Sequence, residues 1–323
     1  MPDDKHCAYT LLDRRGEAHV DECAQVVAAL TAVPASIAPK YFYDELGCAI
    51  YGAICQLPEY YPTRTEAALF EERRNDIAAA VGPGKQLVDL GAGDARKAEA
   101  WIPWLRPSRY VGVDIAAAEL EHSLARLAHG FPELPMVGVV TDFTVGLPLQ
   151  DALEARGATF FYPGSSIGNF TPAESVAFLA RVQRFCAERP GSGLLIGVDG
   201  KKDKPRLDLA YDDPLGITAA FNRNVLRHLN RRFGFDFDVA AFAHRGFYEP
   251  SQGRIEMHLE ALSLQHVMLG ASGRTFARGE RIHTESSYKY APMEFEAVLR
   301  EAGFVSLRRW DAASDAYYVF YAT

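Results

Sequence analysis

The sequence predicts an α/β fold: a Rossmann-like, mostly parallel seven-stranded sheet closed by an antiparallel hairpin, with an α+β domain set beside it. Three observations carry this. The first is Gln86-Leu-Val-Asp89-Leu-Gly91-Ala-Gly93-Asp94, answered some twenty residues later by Tyr110-Val-Gly-Val-Asp114. It reads as an apolar strand, a glycine turn, a helix and a second strand ending in an acid, the opening of a nucleotide-binding βαβ unit. The second is a regular alternation of apolar strands and amphipathic segments, which implies a parallel sheet covered on both faces. The third is the tail, where the pattern changes to one helix and two closely spaced strands.

In order, strands are expected near 86–90, 110–114, 136–141, 158–162 and 193–199, with helices near 95–104, 116–129 and 172–188. Thr171-Pro172-Ala-Glu174 is a helix start, threonine as N-cap and proline at the first position. Met293 to Gly303 is an amphipathic helix with a glycine stop. Strands near 304–310 and 316–322 follow, joined by a polar turn through Ala312-Ala-Ser-Asp315. That order is similar to class I methyltransferases and not to dehydrogenases. Two blocks stand outside it. Residues 1–62 hold a helix (22–33) and an aromatic run from Tyr41 to Tyr61. Residues 204–288 hold a helical pattern (215–233) and the alternating strand Arg254-Ile-Glu-Met-His-Leu-Glu-Ala-Leu. An insertion of that length is not a loop. The expected division is therefore a substrate-binding lid from 1–62 and 204–288 over a cofactor-binding domain from 63–203 and 289–323.

Hydrophobic residues make up 48% and charged residues 24% of the 323, the balance of a globular protein with a real core. A formal charge of -8 argues against nucleic acid as partner, because phosphate binding needs a positive footprint. Five scattered cysteines (Cys7, Cys23, Cys48, Cys55, Cys186) form no Cys-x-x-Cys pair, and the histidines show no metal-ligand spacing, so neither disulfides nor a metal are expected. No signal peptide or membrane-spanning run appears. A cytoplasmic monomer acting on a small molecule is the expectation.

The charges around the glycine turn refine it. Asp89 precedes the turn, Asp94 follows the second glycine, and Arg96 takes the place of a third glycine. Two carboxylates would repel a pyrophosphate but suit a ligand bearing an ammonium and a sulfonium, as S-adenosylmethionine does. Asp114 is placed to take both ribose hydroxyls. Asp142-Phe143 could bond an adenine amino group and cover the ring. Lys97, in the first turn of the next helix, could meet a carboxylate of the same ligand. The fourth strand runs into Pro163-Gly164-Ser-Ser-Ile-Gly168-Asn169-Phe170, where an asparagine offers both a donor and an acceptor. The Asn/Asp-Pro-Pro-Tyr/Phe run of enzymes that methylate bases is absent.

The longer motifs are more specific. Tyr41-Phe-Tyr43-Asp-Glu-Leu-Gly47, Leu57-Pro-Glu-Tyr60-Tyr-Pro-Thr-Arg64-Thr-Glu, Gly164-Ser-Ser-Ile-Gly-Asn169-Phe, Tyr211-Asp-Asp with Ala220-Phe-Asn-Arg-Asn224, and His283-Thr-Glu285-Ser-Ser287 resemble the ergothioneine-pathway histidine Nα-methyltransferases. The resemblance runs over about 35–323. It implies that L-histidine is converted to its betaine, hercynine, in three transfers from S-adenosylmethionine, which leaves as S-adenosylhomocysteine. It further implies that Tyr60, Gly91, Lys97, Asp114, Asp142 and Phe143 hold the cofactor. Asn169 and Tyr211 would grip the substrate carboxylate, while Tyr43 and Tyr51 flank the amine with Gly164 nearby and Tyr60 close to both ligands. Glu285 and Ser287 would bind the imidazole beside Met257. Tyr43 and Asn169 stand as the catalytic pair. Two departures appear: Tyr51 occupies a position where the family has phenylalanine, and the stretch between Lys97 and Asp114 is a few residues short.

Glu285 would explain selectivity, since a buried carboxylate is costly unless a ring N–H satisfies it. Aromatic faces from Tyr43, Tyr51 and Tyr60 would stabilise the cationic product. The alternatives are a same-fold enzyme for another amino acid and a cofactor-binding module without turnover. Asp94, Asp114 and Glu285 are expected to share one crevice.

Overall fold

The computed structural model describes residues 9–15, 21–313 and 315–323; Cys7 and the turn residue Ser314 lie outside them. The amino-terminal elements are β1 (Tyr9–Asp13), α1 (Glu22–Thr31), β2 (Ala35–Ser36), α2 (Glu45–Ile54), α3 (Tyr61–Glu72) and α4 (Arg74–Val81). The alternating core follows: β3 (Gln86–Leu90), α5 (Arg96–Leu105), β4 (Arg109–Asp114), α6 (Ala117–Gly130), β5 (Met136–Val140), β6 (Ala158–Tyr162), α7 (Pro172–Ala187) and β7 (Gly193–Asp199). Next come α8 (Lys204–Tyr211), α9 (Ile217–Phe233), β8 (Phe242–Glu249), β9 (Arg254–Ala261), β10 (Gln265–Leu269), β11 (Ser272–Phe276) and β12 (Arg281–Tyr288). The chain ends with α10 (Pro292–Glu301), β13 (Leu307–Asp311) and β14 (Tyr317–Ala322).

The large sheet runs β1-β5-β4-β3-β6-β7-β14-β13, parallel except for β14, which is antiparallel to both its neighbours. Strands β3, β5, β6 and β7 are buried along their whole length, as expected where helices cover both faces. Thr171 caps α7 through a reciprocal capping box with Glu174. The sheet has eight strands and not the seven expected from sequence. The extra one is β1, which the sequence assigned to the lid block; it pairs in parallel with β5 at the sheet's edge. An edge strand with one paired side and mixed burial leaves no regular alternation to read.

Apolar clusters fill both faces of this sheet, and a separate one forms a second body. It joins α1, α2, α8 and α9 to a four-stranded sheet ordered β2-β12-β9-β8. Strand β9 alternates along its length, turning Ile255, Met257 and Leu259 inward. The carboxyl ends of β3, β4, β6 and β7 face this second body, which is where open parallel sheets bind ligands. Among the described residues no helix is long and apolar enough to cross a membrane.

Candidate active site

The glycine turn after β3 needs its glycines: Gly91 and Gly93 take φ of 71° and 50°. A side chain at Gly91 would meet Phe143, whose ring lies 3.6 Å from where a Cβ would stand. Asp114, at the end of β4, accepts one backbone N–H on each oxygen, from Gly93 at 2.8 Å and Ala116 at 2.9 Å. Each oxygen keeps a lone pair, as a ribose diol requires. Burial raises its pKa despite those bonds. These groups fit S-adenosylmethionine.

The acidic lining differs from expectation. Asp89 is buried and accepts the Tyr110 hydroxyl at 2.9 Å; burial pushes its pKa up to about 7. Asp94 is exposed and caps its own loop through the Arg96 N–H. Asp142 pairs with Lys40 at 3.3 Å and takes the Thr144 N–H. Lys97 reaches Glu66 at 2.5 Å. Glu66 is almost wholly buried, and its other oxygen accepts Gly164 N–H and the Tyr317 hydroxyl, both at 2.6 Å.

Opposite these groups lies a cavity lined by all of the expected substrate residues. One wall is aromatic. Tyr43 follows a short 3-10 turn (Pro39–Phe42), Tyr51 sits on α2, and Tyr60 precedes α3. Their rings meet edge-on at 6.0 and 6.4 Å, with Phe221 of α9 6.0 Å from Tyr43 and Tyr211 5.9 Å from Tyr60. Burial raises the pKa of Tyr43, Tyr51 and Tyr60 far enough to keep all three phenols neutral. The Tyr51 ring packs edge-on against Tyr60 at 6.4 Å, and the additional hydroxyl at position 51 is buried with it.

The far wall comes from the second sheet. Glu285 of β12 lies opposite Met257 of β9, and Ser287 opposite Ile255. The register slips between His283 and Glu285, a bulge that brings Glu285 and Ser287 inward after Ile282 and Thr284. Burial pushes the Glu285 carboxyl up to about 7, against the charge of Lys289 and a hydrogen bond from Asn169. Gly164 and Asn169, from the loop after β6, complete the floor with Tyr211.

Asp94 and Asp114 do not line this cavity, and of the expected cofactor residues only Tyr60 does. The expectation of one crevice holding both acids with Glu285 is corrected accordingly. The two regions meet through Gly164, where an added Cβ would lie 3.0 Å from the Lys97 ammonium. Tyr43 feels the charges of both Glu285 and Asp114.

Sequence reading assigned no role to Glu66, Asp199, Lys289 or Phe221. Asp199 and Lys289 line the cavity, are both buried, and pair at 3.0 Å. Burial would raise Asp199, but Lys289 and Lys202 outweigh it and hold its carboxyl below the usual range. The available signal was an acid closing the apolar strand 193–199, the same cue that singled out Asp114. Among the described residues no group of three or more His, Cys, Asp or Glu could hold a metal.

Residues 22–323 match a family model described as histidine-specific methyltransferase, SAM-dependent. The chain is 40% identical over 297 residues to the histidine N-alpha-methyltransferase of Mycolicibacterium smegmatis, covering 90% of this chain and 91% of that one. It is 38% identical to the histidine N-alpha-methyltransferase of Mycobacterium tuberculosis, with the same coverage of 90% and 91%. Ergothioneine biosynthesis protein 1 of Neurospora crassa is 26% identical over 86% of this chain, which spans 32% of that longer protein.

Proposed function

The chain belongs to the histidine-specific, S-adenosylmethionine-dependent methyltransferases, and we propose that its cavity holds L-histidine with the α-amino nitrogen turned toward the methyl donor. Three successive transfers would then yield the trimethylated betaine, hercynine, for ergothioneine biosynthesis. The observation that carries this reading is the pairing of Glu285, Ser287 and Met257 on one wall with a cage of neutral tyrosines on the other.

The bound cofactor supplies an electrophilic methyl group on a sulfonium. Gly91, Asp114, Asp142 and Phe143 suit its nucleoside and Lys97 its carboxylate, which requires Lys97 to share its charge with Glu66. Lys40 must likewise give way at Asp142 for an adenine amino group to bond there. Asn169 and Tyr211 hold the substrate carboxylate, and Glu285 and Ser287 the imidazole. These anchors leave the α-nitrogen among Tyr43, Tyr51 and Tyr60. No strong base is required, because a minor fraction of any free amine is unprotonated near neutral pH. Holding that nitrogen in line contributes several kcal/mol. Each aromatic face then stabilises the growing cation by roughly 0.5–2 kcal/mol. Tyr43, Tyr51, Tyr60, Tyr211 and Met257 pack in one apolar cluster and Phe143 in another, which supports reading α1, α2 and residues 204–288 as a lid.

The test is mass spectrometry of the purified protein incubated with S-adenosylmethionine and the twenty amino acids. Histidine alone should gain one to three methyl groups. Transfer to a different amino acid, or cofactor binding without any S-adenosylhomocysteine formed, would overturn the reading.

A further inference from the structure

Lys289 follows β12 directly, and its side chain is only 1% exposed. An ammonium has three protons. The structure gives each a partner: the Tyr211 hydroxyl at 2.9 Å, Ser287 Oγ at 3.0 Å and Asp199 at 3.0 Å. None is left for a ligand, so Lys289 acts through the groups it holds and, at longer range, through its charge on Glu285. Asp199 is itself fixed by the Tyr61 hydroxyl at 2.6 Å and by Lys202, so the buried cation comes with its countercharge.

The consequence falls on Ser287. Its Oγ accepts from Lys289 and also from the Tyr211 hydroxyl at 3.2 Å. A serine oxygen has two lone pairs, and with both filled only its own proton remains to offer a ligand. If Tyr211 turns its proton to a substrate carboxylate, the lone pair released is the one aimed at Tyr211. Lys289 still occupies the other.

Given the histidine reading above, we infer that Lys289 is a positioning residue that makes Ser287 a donor toward the ring, so that the pocket selects an imidazole with its unprotonated nitrogen facing Ser287 and its N–H facing Glu285. Without Lys289 the serine hydroxyl is free to turn toward Tyr211, and the demand for a ring acceptor disappears. Tyr211 and Ser287 then lose the common anchor that couples carboxylate recognition to ring recognition.

The experiment compares kcat/KM for histidine with that for pyrrol-2-yl-alanine and pyrrol-3-yl-alanine, in each of which one ring nitrogen is replaced by C–H and the other keeps its proton. The isomer that retains an N–H toward Glu285 strands the Ser287 donor. The unaltered enzyme should discriminate against it by on the order of 10²-fold, the effect of an unpaired buried donor. In Lys289→Met that ratio should fall below about 10-fold, while histidine turnover itself drops. A fall shared equally by both substrates, leaving the ratio unchanged, would make Lys289 a structural prop and overturn the assignment. Lys289→Met leaves Asp199 with one cation fewer, so Asp199→Asn/Lys289→Met, which removes both charges, is measured beside it and should show the same collapse. Failure of the unaltered enzyme to methylate histidine at all would instead overturn the histidine reading, and this role with it.

Discussion

A carboxylate walled into an aromatic cavity is unstable until something with a proton or a charge meets it. Glu285 is such a group: burial lifts its pKa to about 7, well above the 4.5 of a free glutamate. The folded state therefore prefers it protonated. Its contribution to stability is fully present below the unfolded value and is lost as pH rises through the folded one. Glu285→Gln should leave ligand-free stability nearly unchanged at about pH 3.5, below the unfolded value, and raise it at pH 8, by about 3 kcal/mol at most. Thermal melts of the two proteins across that range test this, and parallel curves would refute it. Glu285→Ala should cut kcat/KM for histidine by roughly 10³–10⁴ with cofactor affinity near normal. Asp114→Ala should weaken cofactor binding first, and calorimetry separates the two. Tyr51→Phe tests the unusual hydroxyl. Because that hydroxyl is buried beside Tyr60 and the transfer does not call on it, its loss should change stability by less than about 1 kcal/mol while trimethylhistidine stays the end product. Accumulation of dimethylhistidine would show that the hydroxyl acts on the amine instead.

Helix α2 carries Tyr51, and its position depends on one buried acid. Asp44 caps the helix by accepting Gly47 N–H at 2.8 Å and binds α9 through Asn224 at 2.7 Å and through Arg231. Asp44→Ala removes cap and inter-helix anchor together. The expected loss is about 2–3 kcal/mol, with KM for histidine rising more than kcat falls; denaturant titration and steady-state kinetics check both. At this scale the alternating strands and helices from β3 to β7 were legible from apolar runs and caps, within a residue or two of where they lie, whereas α3 and α4 were not read. Strand β12 was not. Its bulge breaks the alternation, so Ile282, Thr284, Glu285 and Ser287 all turn inward and no period of two survives. The motif His283-Thr-Glu285-Ser-Ser287 was visible as a motif and invisible as a strand. Strand β1 and the placement of Asp89 were misjudged because each depends on a distant partner, β5 and Tyr110, and the pairing of Lys97 with Glu66 went unseen for the same reason.

Across the whole molecule, the apolar clusters of the large sheet and that of the second body are separate, and ligands bridging the two bodies should stabilise both. S-adenosylhomocysteine at a hundred times its Kd should add about 2.7 kcal/mol, and histidine added with it should raise the same single transition further. Two separately moving transitions in calorimetry would show that the clusters unfold independently. The ordered strands and helices, the glycine turn with Asp114, and the family's motifs were readable in the chain itself. Local periodicity, backbone conformational demands and contiguous side-chain chemistry are properties of neighbouring residues. What only the tertiary structure decided is which charges meet. Glu66 joins Lys97 to Gly164, and Asp199 balances Lys289 beneath Tyr211 and Ser287, across separations of 98 and about 90 residues. Such pairs form because a buried charge must find its partner wherever the fold brings one, and sequence spacing carries no record of that.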